Sequence, residues 1–128
     1  MQVEPGRFYT SDHEWVAFAD DGTATVGISD YAQGKLGDLV YIEFLARSGH
    51  VSRGDAVVSL ESVKAVAEAY APFDAEVLAV NEELPQTPGW VNEDPYHKGW
   101  MLKLRPLCQD PKAGLMDAND YEVSLEGL

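Results

Sequence analysis

The residue with the most specific chemical setting in this sequence is Lys64. Two strand-like runs, 56–61 and 66–70, meet with only Ser62-Val63-Lys64-Ala65 between them. That spacing predicts a tight hairpin with Lys64 at or near its tip, although the tip lacks the Asn-Gly or Asp-Gly pair that such turns favour. A lysine so placed offers its amine to a modifying enzyme's cleft without any unfolding. Its four-carbon stem plus an attached acyl group forms a flexible tether, which raises the local concentration of a cargo at a docked partner's site. The amine is protonated at neutral pH, so acylation needs an activated donor and an enzyme that removes the proton. Spacing alone leaves open the plainer reading of a solvated turn lysine.

Other chemistries find less support. The sequence has no G-x-S-x-G elbow, no P-loop and no G-x-G-x-x-G. His13, His50 and His97 are dispersed, and His13-Glu14 lacks the second histidine of a zinc-binding helix. The one cysteine, Cys108, has no partner for an internal disulfide and only Arg105 as a basic neighbour, so it reads neither as a cross-link nor as a reactive thiol. Carboxylates are too numerous for spacing to single out an acid–base pair. A small hydrolase would need a pocket with a base and a nucleophile, and no local motif supplies one.

The elements that must position Lys64 are short and strand-rich. Runs 14–18 and 23–28 flank the turn Asp20-Asp21-Gly22 as a hairpin, 38–44 is rich in β-branched and aromatic residues, and 76–80 and 100–104 add further strands. Residues 29–33 read as a short helix, with Asp30 and Gln33 at capping-box spacing and Gly34 and Gly37 limiting its extension. Ser48-Gly49-His50 and Arg53-Gly54-Asp55 read as turns, and 84–95 reads as loop, carrying Pro85, Pro88, Gly89 and Pro95. Near the end, Asp117 is the expected N-cap of a helix, with Asp120 at the third helical position and Met116 and Tyr121 spaced as a hydrophobic staple. The sum is a mainly β, mostly antiparallel fold with peripheral helices, whether barrel or sandwich, in one domain spanning 1–128.

Charge bounds the partners. The 128 residues carry a formal net charge of -13, with a pI of about 4.3, which disfavours phosphate backbones and anionic membranes. Such a surface confers solubility and can steer docking onto cationic clefts. No run of about 18 apolar residues suggests a membrane span. The opening Met1-Gln2-Val3-Glu4-Pro5-Gly6 lacks the basic and apolar regions of a secretory signal, so the expected location is cytoplasmic.

Leu60-Glu61-Ser62-Val63-Lys64-Ala65-Val66 resembles the lipoylation motif of glycine cleavage system H proteins. Further blocks resemble the same family in the same order: 8–16, opening Phe8-Tyr9-Thr10-Ser11-Asp12-His13-Glu14-Trp15; 26–33 with 36–41; 76–84; 91–96 followed by Gly99-Trp100; and Leu115-Met116-Asp117-Ala118. Together they span nearly the whole chain.

The resemblance implies a lipoyl-domain-like barrel-sandwich hybrid with short peripheral helices and a C-terminal helix. It implies a non-catalytic carrier with lipoate covalently linked to Lys64. The arm would take the aminomethyl group of glycine from the PLP-dependent decarboxylating P protein to the folate-dependent aminomethyltransferase, the T protein. The flavin-dependent dihydrolipoamide dehydrogenase, the L protein, would reoxidise the resulting dithiol. Lipoylating enzymes would be further partners, with Glu61 at a position linked to their recognition. In this family the loaded, cationic arm lies against a surface cleft, and Asp12, Glu14 and Glu68 match positions that could face it. Each of those acids could equally be a solvated charge on a strand edge, and Glu61 a hairpin surface charge.

Some positions depart from the family pattern. Ala75 stands where glycine usually follows the turn after Pro72, which would be costly if the turn demands a positive φ. The loop at 44–49 lacks the usual Leu-Pro, Gly34 replaces a common acid, and His97 replaces a common glycine. Biotin carriers share a hairpin-tip lysine but resemble Met-Lys-Met there, against Val63-Lys64-Ala65 here. An H-like protein that relays lipoate to other lipoyl-dependent complexes would use the same arm, and sequence does not separate it from the glycine cleavage carrier.

Overall fold

A computed structural model describes residues 2–128; Met1, part of the stretch read for a signal, lies outside the described residues. In chain order the elements are β1 (Phe8–Tyr9), β2 (Glu14–Phe18), β3 (Ala24–Ile28), α1 (Asp30–Leu36), β4 (Leu39–Phe44), β5 (Gly49–Val51), β6 (Ala56–Ser62), β7 (Val66–Tyr70), β8 (Ala75–Val80), α2 (Gly89–Glu93), β9 (Leu102–Pro106), β10 (Met116–Asp117) and α3 (Ala118–Leu125). They form a seven-stranded sheet in the order β10-β1-β2-β3-β9-β8-β5 and a three-stranded sheet in the order β4-β6-β7. Every strand pair is antiparallel.

Period-two alternation explains how one sheet serves two cores. Val16, Val26, Leu102 and Leu104 of the large sheet meet Ile42, Phe44, Val58 and Leu60 of the small one in the main core. Trp15, on the opposite face of β2 from Val16, joins Tyr9, Tyr96, Tyr121 and Leu125 in a second cluster that seats α3. Gly27, opposite Trp15 across the ladder, is required there: a Cβ on it would meet the indole at 2.7 Å.

The expected N-cap of the last helix is present, with Asp117 accepting from the Asp120 N–H at 2.8 Å. At the first helix the cap is Ser29 rather than Asp30, accepting from the Ala32 N–H. Asp30 and Gln33 still bond, but through their side chains within the first turn. The helix runs through Gly34 and stops at Gly37, whose φ is 82°.

Four local expectations are corrected. Residues 49–51 form a strand against β8, not a turn. The 84–95 stretch contains α2, which turns Asn92 onto the α1–β4 junction. The last long strand begins at Leu102, two residues later than expected. Ala75 carries no positive φ and is fully buried at the start of β8, so the missing glycine has no conformational cost. The described non-glycine residue that does adopt a positive φ is His13, at 70°.

Candidate functional site

The hairpin of β6 and β7 is closed by a side chain, which explains why it manages without Asn-Gly. The Ser62 hydroxyl accepts from the Lys64 and Ala65 N–H groups at 3.2 and 3.0 Å, and the Ser62 N–H donates to the Ala65 carbonyl at 2.8 Å. A hydroxyl at this position substitutes for backbone bonds that a glycine turn would make. The tip is also tied down from below, because the Val63 N–H donates to the Asp38 carbonyl at 3.1 Å. Asn92 braces that same junction, donating to the carbonyl of Gly37 and the side chain of Gln33 and accepting from the Leu39 N–H.

On this frame Lys64 is exposed. Among the described residues its amine takes part in no hydrogen bond or ion pair. Its stem lies over Gly37, where a Cβ would come within 3.2 Å of Lys64 Cε. Gly37 therefore leaves room for the stem, besides supplying the positive φ that ends α1.

Next to Leu36 opens a cleft of about 320 Å³, whose apolar floor includes Ile28, Leu60 and Ala67 and whose polar rim is Asp12, His13, Tyr31, Lys35 and Glu68. The Leu60–Ala67 pair lies two residues back from the turn, about 7 Å at the usual rise of a strand. The structure thus brings Asp12 and Glu68 together on this rim, both exposed.

Glu14 is different. It is 2% exposed and points inward with the parity of Val16, correcting the reading of a solvated edge acid. Its carboxyl accepts from the Thr10 hydroxyl at 2.6 Å and from the Tyr70 N–H at 3.1 Å. It lines a smaller cavity of about 90 Å³ that shares Asp12 with the cleft. Burial pushes its pKa up to about 7 against the pull of those two donors, and the nearby Asp12 charge adds to the rise. Glu61 is exposed on β6, opposite Tyr41 and Val66 in the ladder.

His13 closes the cleft from the other side. Its Nδ1 shares a hydrogen bond of 2.9 Å with the Tyr121 hydroxyl, which in turn bonds Ser29 at 2.7 Å. Burial lowers the His13 pKa, which favours the neutral ring, and pushes the Tyr121 phenol up to about 12. The C-terminal helix, the N-cap of α1 and the cleft wall are therefore one hydrogen-bonded unit.

Sequence reasoning missed Ser62, Thr10, Asn92 and Tyr121 as positioning residues. A hydroxyl residue three before the end of a hairpin turn was a usable signal for Ser62. The staple spacing placed Tyr121 on the last helix, but nothing local marks its hydrogen-bond partners, which lie 108 and 92 positions away.

The sequence of residues 7–127 matches the family model described as glycine cleavage H-protein. The chain belongs to the glycine cleavage H-protein family. A "Probable glycine cleavage system H protein" of Thermococcus kodakarensis is 49% identical over 128 residues, covering 99% of this chain and 95% of that protein. The "Glycine cleavage system H protein" of Listeria monocytogenes is 42% identical over 126 residues, covering 98% of this chain and all of that one. A crystal structure of the glycine cleavage system H protein from Mycobacterium marinum superposes with a TM-score of 0.87 at 32% identity, covering 98% of this chain and 100% of that one. Glycine cleavage H proteins are carriers, not enzymes: they bear lipoate covalently on a lysine and work with the P, T and L proteins. The mainly β architecture with its closing helix is that of the family. No helix among the described residues is long and apolar enough to cross a membrane.

Proposed function

We propose that Lys64 is the lipoyl-bearing lysine of this glycine cleavage carrier, that residues 1–128 act as one carrier domain, and that the cleft beside Leu36 receives the end of the arm. The observation that carries this reading is the isolated amine of Lys64 at a side-chain-closed hairpin tip, with its stem lying over Gly37, the residue after Leu36 of that cleft. The site fits an amide-linked arm: the amine is solvent-facing, and nothing must break for an enzyme to reach it. Attached lipoate supplies a dithiolane that accepts the aminomethyl group of glycine at the P protein and releases it at the T protein, the L protein reoxidising the dithiol.

The chain's own part is position and charge. The cleft's floor is apolar, and its rim sets two carboxylates, Asp12 and Glu68, against one ammonium, Lys35. That balance suits a cationic cargo. Glu14 lies behind Asp12 with a carboxyl poised near neutrality, so a cation brought close would favour its ionised form. Glu61, three residues before Lys64, is exposed where a lipoylating enzyme would approach. We further propose a cytoplasmic location, which suits a chain whose lone Cys108 has no disulfide partner.

The decisive test is intact mass before and after incubation with lipoate, ATP and a lipoate ligase, followed by peptide mapping. A single lipoyl adduct on Lys64, absent from Lys64→Arg, is the expected result. An adduct on another lysine, or none, overturns the assignment. Glu68→Gln is expected to shorten the lifetime of the loaded form; an unchanged lifetime removes Glu68 from the docking role.

A further inference from the structure

The outer face of the large sheet carries a cavity that the carrier roles leave unused. Strand register makes it. Ala17 of β2 pairs with Thr25 of β3, and Thr25 pairs with Lys103 of β9. Phe8 pairs with Val16, so Arg7, one residue before β1, extends the same row past Ala17. The row has long cationic side chains at both ends and small residues between them. Residues two apart on a strand share a face, so the indole of Trp15 stands on this side beside Ala17. The segment between α2 and β9 completes the walls with Tyr96, His97 and Trp100. The cavity holds about 320 Å³, at the small end of the range of about 300–1,000 Å³ for ligand pockets. It shares no residue with the cleft beside Leu36.

Its lining runs against the charge of the chain. The sequence carries 22 acids against 9 lysines and arginines, yet none of the described residues lining this cavity is an acid, while Arg7, Lys103 and His97 all line it. The acids nearby sit behind the cations: Glu4 lies 3.7 Å from Arg7, and Asp94 lies 3.1 Å from the His97 ring. The Arg7 guanidinium stands over the rings of Trp15 and Tyr96 at 4.8 and 5.4 Å, and it donates to the Tyr96 carbonyl at 2.8 Å. Its Nε–H is nevertheless buried with no partner among the described residues, a state that native folds rarely keep. The Lys103 ammonium forms no ion pair among the described residues and feels the Asp21 carboxylate only at longer range. His97 stands where the family commonly has glycine, so the imidazole wall is this chain's own addition.

We propose that this cavity binds a small organic anion built on one flat aromatic ring. The ring lies over Ala17 and Thr25 against the indoles of Trp15 and Trp100, and its carboxylate meets Lys103. Two properties of the lining select that class. Aromatic walls favour a flat ring, and cations without a lining acid favour a carboxylate. The site is separate from Lys64 and its cleft, so the proposal stands or falls independently of the lipoyl assignment.

The test is a titration of the 15N-labelled full chain with benzoate, followed through the indole N–H resonances of its three tryptophans. Benzamide supplies the ring without the charge, and acetate the charge without the ring. Saturable shifts are expected at Trp15 and Trp100, which line the cavity, and none at Trp90, which does not. Benzoate should bind at least about tenfold more tightly than either control, the scale of one charge-assisted hydrogen bond. Lys103→Gln, at an exposed strand position, and Ala17→Val, which raises the floor, should each weaken benzoate by about tenfold or more. Arg47→Gln, which removes an exposed cation elsewhere, should leave it unchanged. The dispersion of the indole resonances reports whether each variant is folded, and Lys103→Gln decides the matter if Ala17→Val is not. Absent shifts, or equal binding of benzamide or acetate, would overturn the proposal. So would undiminished binding in Lys103→Gln or in folded Ala17→Val, or an equal loss in Arg47→Gln.

Discussion

At 62–65 the Ser62 hydroxyl collects two backbone N–H groups, and at 10–14 the Thr10 hydroxyl does the same, accepting from Asp12 at 3.2 Å and Glu14 at 3.1 Å. The two turns share a closing device and present opposite charges in opposite ways. The first leaves residues 63–66 exposed and sends a free ammonium into water. The second folds a carboxylate into the protein and gives it the Thr10 hydroxyl and the Tyr70 N–H as partners. The difference lies in where each charged residue falls relative to its strand. Glu14 opens β2 with core-facing parity, whereas Lys64 sits between strands and belongs to neither face. A mobile arm calls for the first solution; a buried acid whose protonation responds to a neighbouring cation calls for the second.

Several substitutions sharpen this contrast. The largest effect is expected at the exposed turn and is purely functional: Lys64→Arg keeps the charge, loses the whole lipoyl adduct by intact mass, and leaves the thermal midpoint unchanged. A lowered midpoint would mean that the lysine stem contributes packing over Gly37.

At the buried turn the effects are on stability. An ordinary glutamate has a pKa of 4.5, and burial brings Glu14 to about 7, so the folded protein holds a proton that the unfolded chain has released. Stability from this group is fully present below the lower value and lost as pH rises through the upper one. At about 1.4 kcal/mol per pKa unit, the span is roughly 3 kcal/mol. Glu14→Gln removes that titration, so its thermal midpoint should fall less across this window than that of the unaltered chain. Parallel curves would show a solvated carboxyl.

The next pair compares the two hydroxyls directly. Thr10→Val strips a buried carboxylate of its closest donor and leaves two N–H groups uncapped, for an expected loss of about 2 kcal/mol in denaturant unfolding. Ser62→Ala makes the equivalent deletion where water can reach the Lys64 and Ala65 N–H groups, and about 0.5–1 kcal/mol is expected. Equal losses would erase the distinction between the turns.

The exposed turn was the more legible of the two. Two strand-like runs with four residues between them suffice to place Lys64, because hairpins are local. The cap of α3 was legible for the same reason, with Asp117 and Asp120 three residues apart. Glu14 was named through family resemblance, but its burial depends on which face of β2 meets the small sheet, and that is fixed by strands far away in sequence. The parity of Glu14 with Val16 was the available clue. The short helix α2 escaped because five residues with Pro88 at the cap show no apolar period, and Asn92 acts only through the junction it reaches.

The bond between His13 and Tyr121 sets an order of events during synthesis. The three strands that present Lys64 lie within residues 39–70 and can pair soon after they emerge from the ribosome. The wall formed by the 10–14 turn cannot be locked until Tyr121 arrives to stack on Tyr9 and reach His13, more than a hundred residues later. Counted from the end of the lysine hairpin at Tyr70, Tyr121 follows 51 residues later, a wait of a few seconds at about 5–20 residues per second. A nascent chain therefore displays its attachment point well before it has a finished place to shelter the cargo.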